Sequence, residues 1–173
     1  MVSINLTSEA VTFARAKDRE RAYIELFSKV QSRLKEQKNF PLLSFNPLGR
    51  SWCDLASFND GKQRLVLSFA QRQRVRLEIY IDSGVEKENK LMFDQLFFNK
   101  VFIESELGQP LEWERLDHRR ASRIAMYKKG AITDPPENLE SIIDWAVESV
   151  IPLFNAFNKR IETISQEIAS RQN

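Results

Sequence analysis

The chain has 173 residues, of which 42% are hydrophobic and 29% charged, and its 26 basic and 24 acidic residues leave a net charge of +2. This length allows one hydrophobic core, and the near balance of charge excludes a protein that binds nucleic acid through bulk positive charge. The lone cysteine, Cys53, excludes an internal disulfide, and no apolar run reaches the roughly 18 residues of a membrane span, which together predict a cytoplasmic protein.

The first half of the chain predicts one helix and then a meander of strands. Between Tyr23 and Leu34, apolar residues recur at offsets of three and four, which is the pattern of an amphipathic helix. From Ser51 the apolar period changes to two, and Asp60 and Gly61 separate two such runs. A type I′ turn needs positive φ at both central residues, which Asp and Gly tolerate, so the sequence predicts a β-hairpin there.

The third predicted strand has one apolar and one polar face, because successive side chains of a strand point to opposite sides of the sheet. The inward set is Val75, Leu77, Ile79 and Ile81, and the outward set is Arg74, Arg76, Glu78, Tyr80 and Asp82. Together with the hairpin, this strand gives three consecutive antiparallel strands.

A long second helix is predicted over residues 86–107, and Gly108 suits the left-handed conformation that ends many helices. Its inward stripe contains Phe93, Leu96, Phe97, Val101 and Leu107. A second stripe, on roughly the opposite side, contains Leu91, Phe98 and Phe102. This stripe is either buried under the C-terminal helix or exposed, and in the second case it predicts the interface of a homodimer or of another protein partner.

The remaining chain predicts two short strands over 111–116 and 122–128 and a final helix that opens at Pro136. Pro152 removes a helix donor, so the helix is expected to kink or break there. We therefore predict a single α+β domain over 1–152 and a C-terminal helix over 153–173 as a candidate interaction segment. The element order αβββαββα predicts an antiparallel-rich mixed sheet packed by helices, reminiscent of a degenerate restriction-endonuclease-like core.

That order of elements raises the question of a metal-dependent nuclease. Such a nuclease needs a carboxylate near the second strand and a carboxylate-x-lysine on the third, which hold a divalent cation and stabilise charge. Here Tyr80 stands in the lysine position, and the second strand contains no acid. An atypical Mg²⁺ site would have to use Glu78, Asp82, Glu112 and Glu114. A glutamate paired with a neighbouring arginine is favoured instead, so no catalytic residue, metal or cofactor is predicted.

Clustered arginines on the third strand and on the two short strands indicate a binding site more strongly than these carboxylates indicate a nuclease. If these strands share one sheet, the guanidinium groups line a groove beside aromatic rings, a surface that holds phosphate and stacks bases. The predicted nucleic-acid-binding residues are Arg74, Arg76, Tyr80, Trp113, Arg115, Arg120 and Arg123. Alternatively, neighbouring carboxylates neutralise these arginines as cross-strand pairs. The other two tryptophans, Trp52 and Trp145, are expected in the core.

Several of these segments resemble a bacterial family, the domain of unknown function 4268. The resemblance covers about residues 21–157 and rests on Trp52 after a loop, RVRLEIYID, ENKLMFDQL, the spacing of Ile103, Glu104 and Gly108, and LEWERL followed by RASRI. Modules of this family often follow nuclease-like or restriction-associated domains. The resemblance therefore implies a setting in DNA metabolism or in defence against foreign DNA.

Taken with the basic clusters, this resemblance predicts a non-catalytic nucleic-acid- or protein-binding module linked to DNA metabolism or phage/host defence. The expected partners are nucleic acid, a second copy of the chain, or a nuclease or defence protein, and no membrane. The alternative function is a metal-dependent nuclease of the restriction-endonuclease-like class with an atypical active site that requires Mg²⁺.

Overall fold

The structure contains one β-sheet and four α-helices within residues 8–38, 40–44 and 46–170, which are those that the computed structural model describes. The strands are β1 (Trp52–Phe58), β2 (Gln63–Ala70), β3 (Arg74–Ile81), β4 (Glu112–Glu114) and β5 (Ser122–Lys129), and the helices are α1 (Ser8–Lys35), α2 (Glu86–Phe98), α3 (Lys100–Leu107) and α4 (Pro136–Ser170). Neighbouring strands pair antiparallel in the order β1-β2-β3-β5-β4. The predicted α+β fold and its element order are therefore confirmed. No helix in the described ranges combines the length and the apolar character that a membrane span needs.

The turn between β1 and β2 has the conformation that the sequence predicts. Asp60 and Gly61 have φ angles of 53° and 84°, and the Lys62 amide donates to the Asn59 carbonyl oxygen over 3.2 Å. Positive φ at both central residues and this closing hydrogen bond are the features of a tight hairpin. The turn therefore sets the antiparallel pairing of β1 with β2.

The two faces of the sheet have different environments. Side chains at alternate positions of β3, from Val75 to Ile81, are fully buried in the hydrophobic core. Helices α1, α2 and α4 supply the other half of that core, and Phe27 and Phe157 are among its largest fully buried side chains. Burial of each large apolar side chain contributes about 1.5–3 kcal/mol, which holds the helices on this face. The opposite face carries the polar residues of β3, as the alternation predicts.

The predicted second helix is two helices, so its continuous extent over 86–107 is wrong. Asn99, with φ −93° and ψ 9°, separates α2 from α3. Its side-chain amide donates to the Gln95 carbonyl oxygen over 3.1 Å. Asparagine side chains compete in this way with backbone hydrogen bonding, which makes asparagine a poor residue for a helix interior.

The break between α2 and α3 also changes which apolar residues face inward. Phe93, Leu96 and Ile103 are buried in the core. Phe97 and Val101, which the helical periodicity places inward, are 48% and 76% exposed, so that prediction is wrong for these two residues. Val101 lies after the break, where a periodicity counted along one continuous helix no longer applies. Phe97 lies before it, and its half-exposed ring contacts the rings of Phe93 and Trp113.

Gly108 ends α3 in the left-handed conformation, with φ 66° and ψ 16°. No atom outside its immediate neighbours lies within 4 Å of where a Cβ would stand, so a substitution there tests backbone conformation alone. Gly108→Ala is expected to lower the free energy of unfolding by about 1 kcal/mol, because alanine disfavours this conformation. Gly108→Asn is expected to lose less, since asparagine tolerates it. Urea denaturation checks both, and equal losses would show that another property of glycine matters here.

Helix α4 continues through Pro152, so the predicted break at this residue is not observed. Pro152 and Glu148, whose carbonyl loses its helical donor, are both exposed, and water can therefore replace the missing bond. On the inward side, Val150, Leu153 and Phe157 are buried before and after the proline. Their burial, at about 1.5–3 kcal/mol each, outweighs the roughly 3 kcal/mol cost of an interior proline. The residues that follow Pro152 thus share the core of the rest of the chain.

A buried lysine of α2 holds the loop between β4 and β5. Lys90 is 8% exposed, and its Nζ, which has three N–H donors, lies 2.7 to 3.1 Å from four acceptors: the carbonyl oxygens of Arg115, Leu116 and Ala121 and Ser122 Oγ. Burial lowers the pKa of the Lys90 ammonium, because it disfavours the charged form. The contacts satisfy loop carbonyls inside the protein and thereby fasten the loop to α2.

Candidate functional site

The face of the sheet that points away from the helices gathers charged and aromatic side chains from all five strands. Strand register places Arg76 of β3 between Ser68 of β2 and Tyr127 of β5. We call this surface the polar face, and its residues are Trp52, Asp54, Arg64, Ser68, Arg74, Arg76, Glu78, Tyr80, Glu112, Glu114, Arg123, Tyr127 and Lys129.

Glu78 lies at the centre of the polar face and is 3% exposed. Its Oε1 is 2.9 Å from Arg76 Nη2 and accepts a hydrogen bond from Ser68 Oγ over 3.4 Å, and its Oε2 is 3.7 Å from Arg123 Nε. Burial raises the pKa of the Glu78 carboxyl, and the charges of Arg76 and Arg123 offset part of this effect. Glu78 is thus a buried acid held between two cations.

On the side of the polar face near β4, arginines make a second set of contacts with carboxylates and a tyrosine. Arg123 Nε lies 3.4 Å from Glu114 Oε2, and Tyr127 Oη donates to Glu114 Oε1 over 2.7 Å. Arg74 Cζ lies 3.8 Å from the centre of the Tyr127 ring, and Arg74 pairs with Glu112 over 2.9 Å. Each of these arginines has a carboxylate partner, so opposite charges fix the side chains across three neighbouring strands.

Toward β1, the polar face is more open. Arg64 pairs with Asp54 over 3.0 Å, and its Cζ lies 5.2 Å from the centre of the Tyr80 ring. Trp52 is 39% exposed, and Arg50 Cζ lies 5.6 Å from its ring centre. The predicted core position of Trp52 is therefore wrong, because the alternation of β1 directs this side chain to the polar face. Exposed ring surface beside guanidinium groups suits a ligand that stacks.

A groove of about 280 Å³ lies in this open part of the polar face. Its walls include the rings of Trp52 and Tyr80 and the charged groups of Asp54, Arg76 and Glu78. Ligand pockets in proteins start at about 300 Å³, so the groove is the size of a site for one small, compact group.

Four of the seven predicted nucleic-acid-binding residues meet on the polar face: Arg74, Arg76, Tyr80 and Arg123. Trp113 does not join them. Its register partner in β5 is the core residue Ile124, and its Nε1 donates to Glu104 Oε1 of α3 over 2.9 Å. The prediction that Trp113 and Tyr80 line one groove is therefore wrong, because a shift of one residue moves a strand side chain to the other face. Trp145 packs against the core, as predicted.

The other two predicted residues, Arg115 and Arg120, lie beyond the strand ends, and carboxylates hold both. Arg115 donates to Asp94 over 2.7 and 3.0 Å and also contacts Asp117. Arg120 donates to both oxygens of Asp82 over 2.8 and 2.7 Å, and these hydrogen bonds lower the pKa of the Asp82 carboxyl. Paired contacts of this kind position the loop that connects β4 with β5.

The four carboxylates of the nuclease alternative do not converge on one point. Glu78, Glu112 and Glu114 have arginine partners on the polar face, whereas Asp82 pairs with Arg120 beyond the end of β3. Among the residues that the structure describes, no group of three or more His, Cys, Asp or Glu side chains is arranged to hold a metal ion. The observed geometry is that of ion pairs.

Sequence reasoning missed Asp54, Arg64 and Ser68 as members of the polar face. They belong to β1 and β2, where buried apolar residues such as Val66 also occur on this face and weaken the alternation. The turn over 71–73 is the signal that could have found Arg64 and Ser68, because it fixes the register that places them opposite Tyr80 and Arg76.

An exposed apolar surface lies where α2 meets α3. Phe98 is 88% exposed, Val101 76%, Phe102 67% and Phe97 48%, and we call these four residues the apolar corner. Leu91, the third member of the predicted stripe, is half-buried. The exposure of Phe98 and Phe102 contradicts the alternative in which this stripe is buried under the C-terminal helix. Neighbouring exposed aromatics of this kind typically mark an interaction surface.

Fold and site together define an α+β protein whose antiparallel sheet has helices on one face and a network of arginines, carboxylates and aromatic rings on the other. Residues 14–161 match the model of the family described as Domain of unknown function (DUF4268), and the chain belongs to that family. The predicted resemblance is thus confirmed. No curated protein and no solved structure matches the chain.

Proposed function

We propose that this protein is a non-catalytic module that binds nucleic acid on the polar face of its sheet. The observation that carries the proposal is the open end of this face, where the exposed ring of Trp52 lies beside Arg50 and Arg64 lies over Tyr80. Guanidinium groups hold phosphates, and aromatic rings stack on bases of any sequence. A sheet with its helices on the other side presents both kinds of group in fixed positions.

The carboxylate partners of the arginines leave donors for phosphate. A guanidinium has five N–H donors, and one carboxylate accepts two of them in the usual paired geometry. Arg50 and Lys129 are exposed at the edges of the face, where a phosphate can approach without desolvating a buried ion pair.

We place this activity in DNA metabolism or in defence against foreign DNA, in the cytoplasm. The support is the family resemblance, which implies association with nuclease-like or restriction-associated domains. A nuclease or defence protein is therefore the expected functional partner, acting on the nucleic acid that this module holds.

Fluorescence anisotropy with a labelled oligonucleotide of about 12 nucleotides tests the proposal, since single-strand sites cover about 4–16 nucleotides. At low salt we expect dissociation constants of about 1–100 µM, because this binding is mainly electrostatic. Replacing Arg50 and Lys129 together by glutamate is expected to weaken binding. It should also flatten the slope of log affinity against log salt by about 1.4, which is about 0.7 for each phosphate contact to a single strand.

The matched control replaces Lys35 and Lys159, which are exposed on α1 and α4, by glutamate. It changes the net charge equally and leaves the polar face intact, so affinity at moderate salt is expected to stay within about twofold, because distant charges are screened. Equal losses in both double variants would mean that net charge and not the polar face governs binding. Absence of any complex at about 100 µM protein removes the proposal, and Mg²⁺-dependent cleavage of the oligonucleotide replaces it with the nuclease alternative.

The apolar corner favours a second binding function, and we propose that it is the interface between two copies of this chain. With about 150–250 Å² for each aromatic side chain, its four residues expose about 500 Å². A two-fold axis that brings the same surface of both copies together would bury about twice this area. That area equals the apolar share, about 65%, of a standard interface of about 1,600 Å². Two apolar corners packed against each other therefore bury as much apolar area as a stable dimer interface of standard size.

A further inference from the structure

A second cavity adjoins the groove of the polar face across the edge strand of the sheet. The groove, of about 280 Å³, lies between β1 and residues of β2 and β3 that include Ser68 and Arg76. The second cavity, of about 250 Å³, lies between β1 and the loop before it, and Leu43, Leu48 and Arg50 are among its walls. We call it the outer cavity. Because β1 is at the edge of the sheet, the groove and the outer cavity lie on opposite sides of this strand.

Trp52 stands between the groove and the outer cavity. Trp52 and Asp54 extend from β1 on the polar face and line both spaces. The Trp52 side chain is 39% exposed, and Arg50 Cζ lies 5.6 Å from the centre of its ring. Arg74 Cζ, by comparison, lies only 3.8 Å from the centre of the Tyr127 ring. Arg50 therefore does not cover the Trp52 ring closely, and a planar group can stack there.

The loop that forms the outer cavity is fixed by two contacts. A Cβ atom on Gly49 would lie 2.6 Å from Glu20 Cβ, so the loop rests directly on α1. The Leu43 amide donates over 2.9 Å to the carbonyl oxygen of Leu55, where the pairing of β1 with β2 shifts register. The wall opposite Trp52 is thus in place before a ligand binds, which lowers the entropic cost of binding.

The size and charge of the two spaces suit two planar groups that an anionic link joins. Ligand pockets start at about 300 Å³, so each space takes one compact ring system. The Asp54 carboxylate, which lines both, is paired with Arg64 over 3.0 Å, and the exposed Arg50 adds a positive charge beside Trp52. A single strand of nucleic acid offers bases joined by phosphates, and side chains can insert between its successive bases.

We propose that the groove and the outer cavity hold two successive unpaired bases of one strand, one on each side of Trp52, with Arg50 at the phosphate that joins them. This inference rests on the proposed function and narrows it to single strands. In a duplex, pairing and stacking hold successive bases together, and their separation is costly. Every base has a flat face for stacking, so the site accepts any sequence.

The test uses strands of about 12 nucleotides whose sites are abasic except for chosen thymines. The strands carry no base, one thymine, two adjacent thymines, or two thymines that several abasic sites separate. In anisotropy titrations at low salt, one thymine is expected to tighten binding about fivefold, since stacking of one base is worth about 1 kcal/mol or more. An adjacent second thymine should add about fivefold again. The separated pair should stay within about twofold of one thymine, because only adjacent bases can lie on both sides of Trp52.

Two variants of Trp52 test its position between the bases. Trp52→Ala is expected to remove both gains, and Trp52→Phe, which keeps a smaller ring, should retain part of each. The matched control is Val85→Ala, which removes an apolar side chain that is 49% exposed beyond the far end of β3, and it should keep both gains in full. The comparison of strands uses the unchanged protein, so equal affinity for adjacent and separated pairs overturns the inference even if Trp52→Ala does not fold.

A second arm separates this inference from the proposed function. The free dinucleotide of thymidine is expected to quench tryptophan fluorescence, and Trp52→Phe should remove most of that response. If the dinucleotide gives this response and no strand binds, the two-base site stands and the nucleic-acid-binding function fails. If the strands bind but the number and spacing of thymines have no effect, the function stands and the two-base site is overturned. No response to either kind of probe overturns both. Repeating the series with ribose and uracil assigns the site to DNA or to RNA, according to which form shows the gain.

Discussion

Replacing Lys90 by methionine is expected to lower the free energy of unfolding by about 3 kcal/mol, because a hydrogen bond to a charged group contributes about 1.5–3 kcal/mol and a buried acceptor that loses its donor costs about 1–3 kcal/mol. The ammonium of Lys90 donates to three loop carbonyls, those of Arg115, Leu116 and Ala121. Methionine fills a similar volume without a donor, so the Ala121 carbonyl would lose the donor that it has in the native protein. The carbonyls of Arg115 and Leu116 would keep only the weaker, neutral hydrogen bonds from Ser122 Oγ and from the Arg119 amide. Urea denaturation of the variant and of the unchanged protein measures the difference.

Lys87→Met is the matched control, because Lys87 lies on the same helix and is exposed. Its free energy of unfolding is expected to change by no more than about 0.5 kcal/mol, as for most surface substitutions. A loss of less than about 1 kcal/mol in Lys90→Met would show that water or other donors can serve the loop carbonyls.

Replacing Phe98 and Phe102 together by serine is expected to turn a dimer into a folded monomer. Each central aromatic residue of an interface commonly contributes about 2 kcal/mol or more. A two-fold axis counts every substitution twice, so the double variant loses about 8 kcal/mol and should raise the dimer dissociation constant by about 10⁵-fold or more, taking about 1.4 kcal/mol for each factor of ten. Because these side chains are 88% and 67% exposed in the single chain, the variant should keep its fold. Light scattering and circular dichroism measure the two properties.

Leu48→Ser provides the control, since Leu48 is 54% exposed and belongs to the loop before β1. It removes an exposed apolar side chain from another surface and should leave the dimer intact. A protein that is monomeric without any substitution would show that the apolar corner is not the contact between two copies. Unfolding of the double variant would mean that Phe98 and Phe102 contribute to the core.

Local patterns predicted the central strand and its turn correctly. The period-two alternation of β3 places Val75 in the core and Arg76 on the polar face, because neighbouring strand residues must point to opposite sides. The Asp60 and Gly61 pair predicted the hairpin, since few other residues adopt positive φ at both positions. In both cases a rule that acts within a few residues determines the outcome.

Local patterns gave the wrong helix boundaries where another interaction competes with them, either core packing between distant residues or a hydrogen bond from one side chain to the backbone. Pro152 was expected to kink or break the last helix, and the break does not occur, because buried residues on both sides of the proline keep α4 continuous. Asn99 was not expected to interrupt the second helix. It does interrupt it, because its side-chain amide donates a hydrogen bond to the Gln95 carbonyl oxygen. Neither energy term is visible in the apolar periodicity of the sequence.

The sequence by itself determined the α+β class, the order of the elements and the polar character of one face of β3, because these depend on alternation, turn residues and chain order. Only the tertiary structure decided which residues meet on that face. Register across separate strands, fixed by turns and packing, places Arg64 beside Tyr80 and Trp52 in the row of Ser68 and Arg76, and moves Trp113 to the core side. The buried contacts of Lys90 also depend on residues about 25 to 32 positions away along the chain, and contacts at that range form only when the whole core has packed.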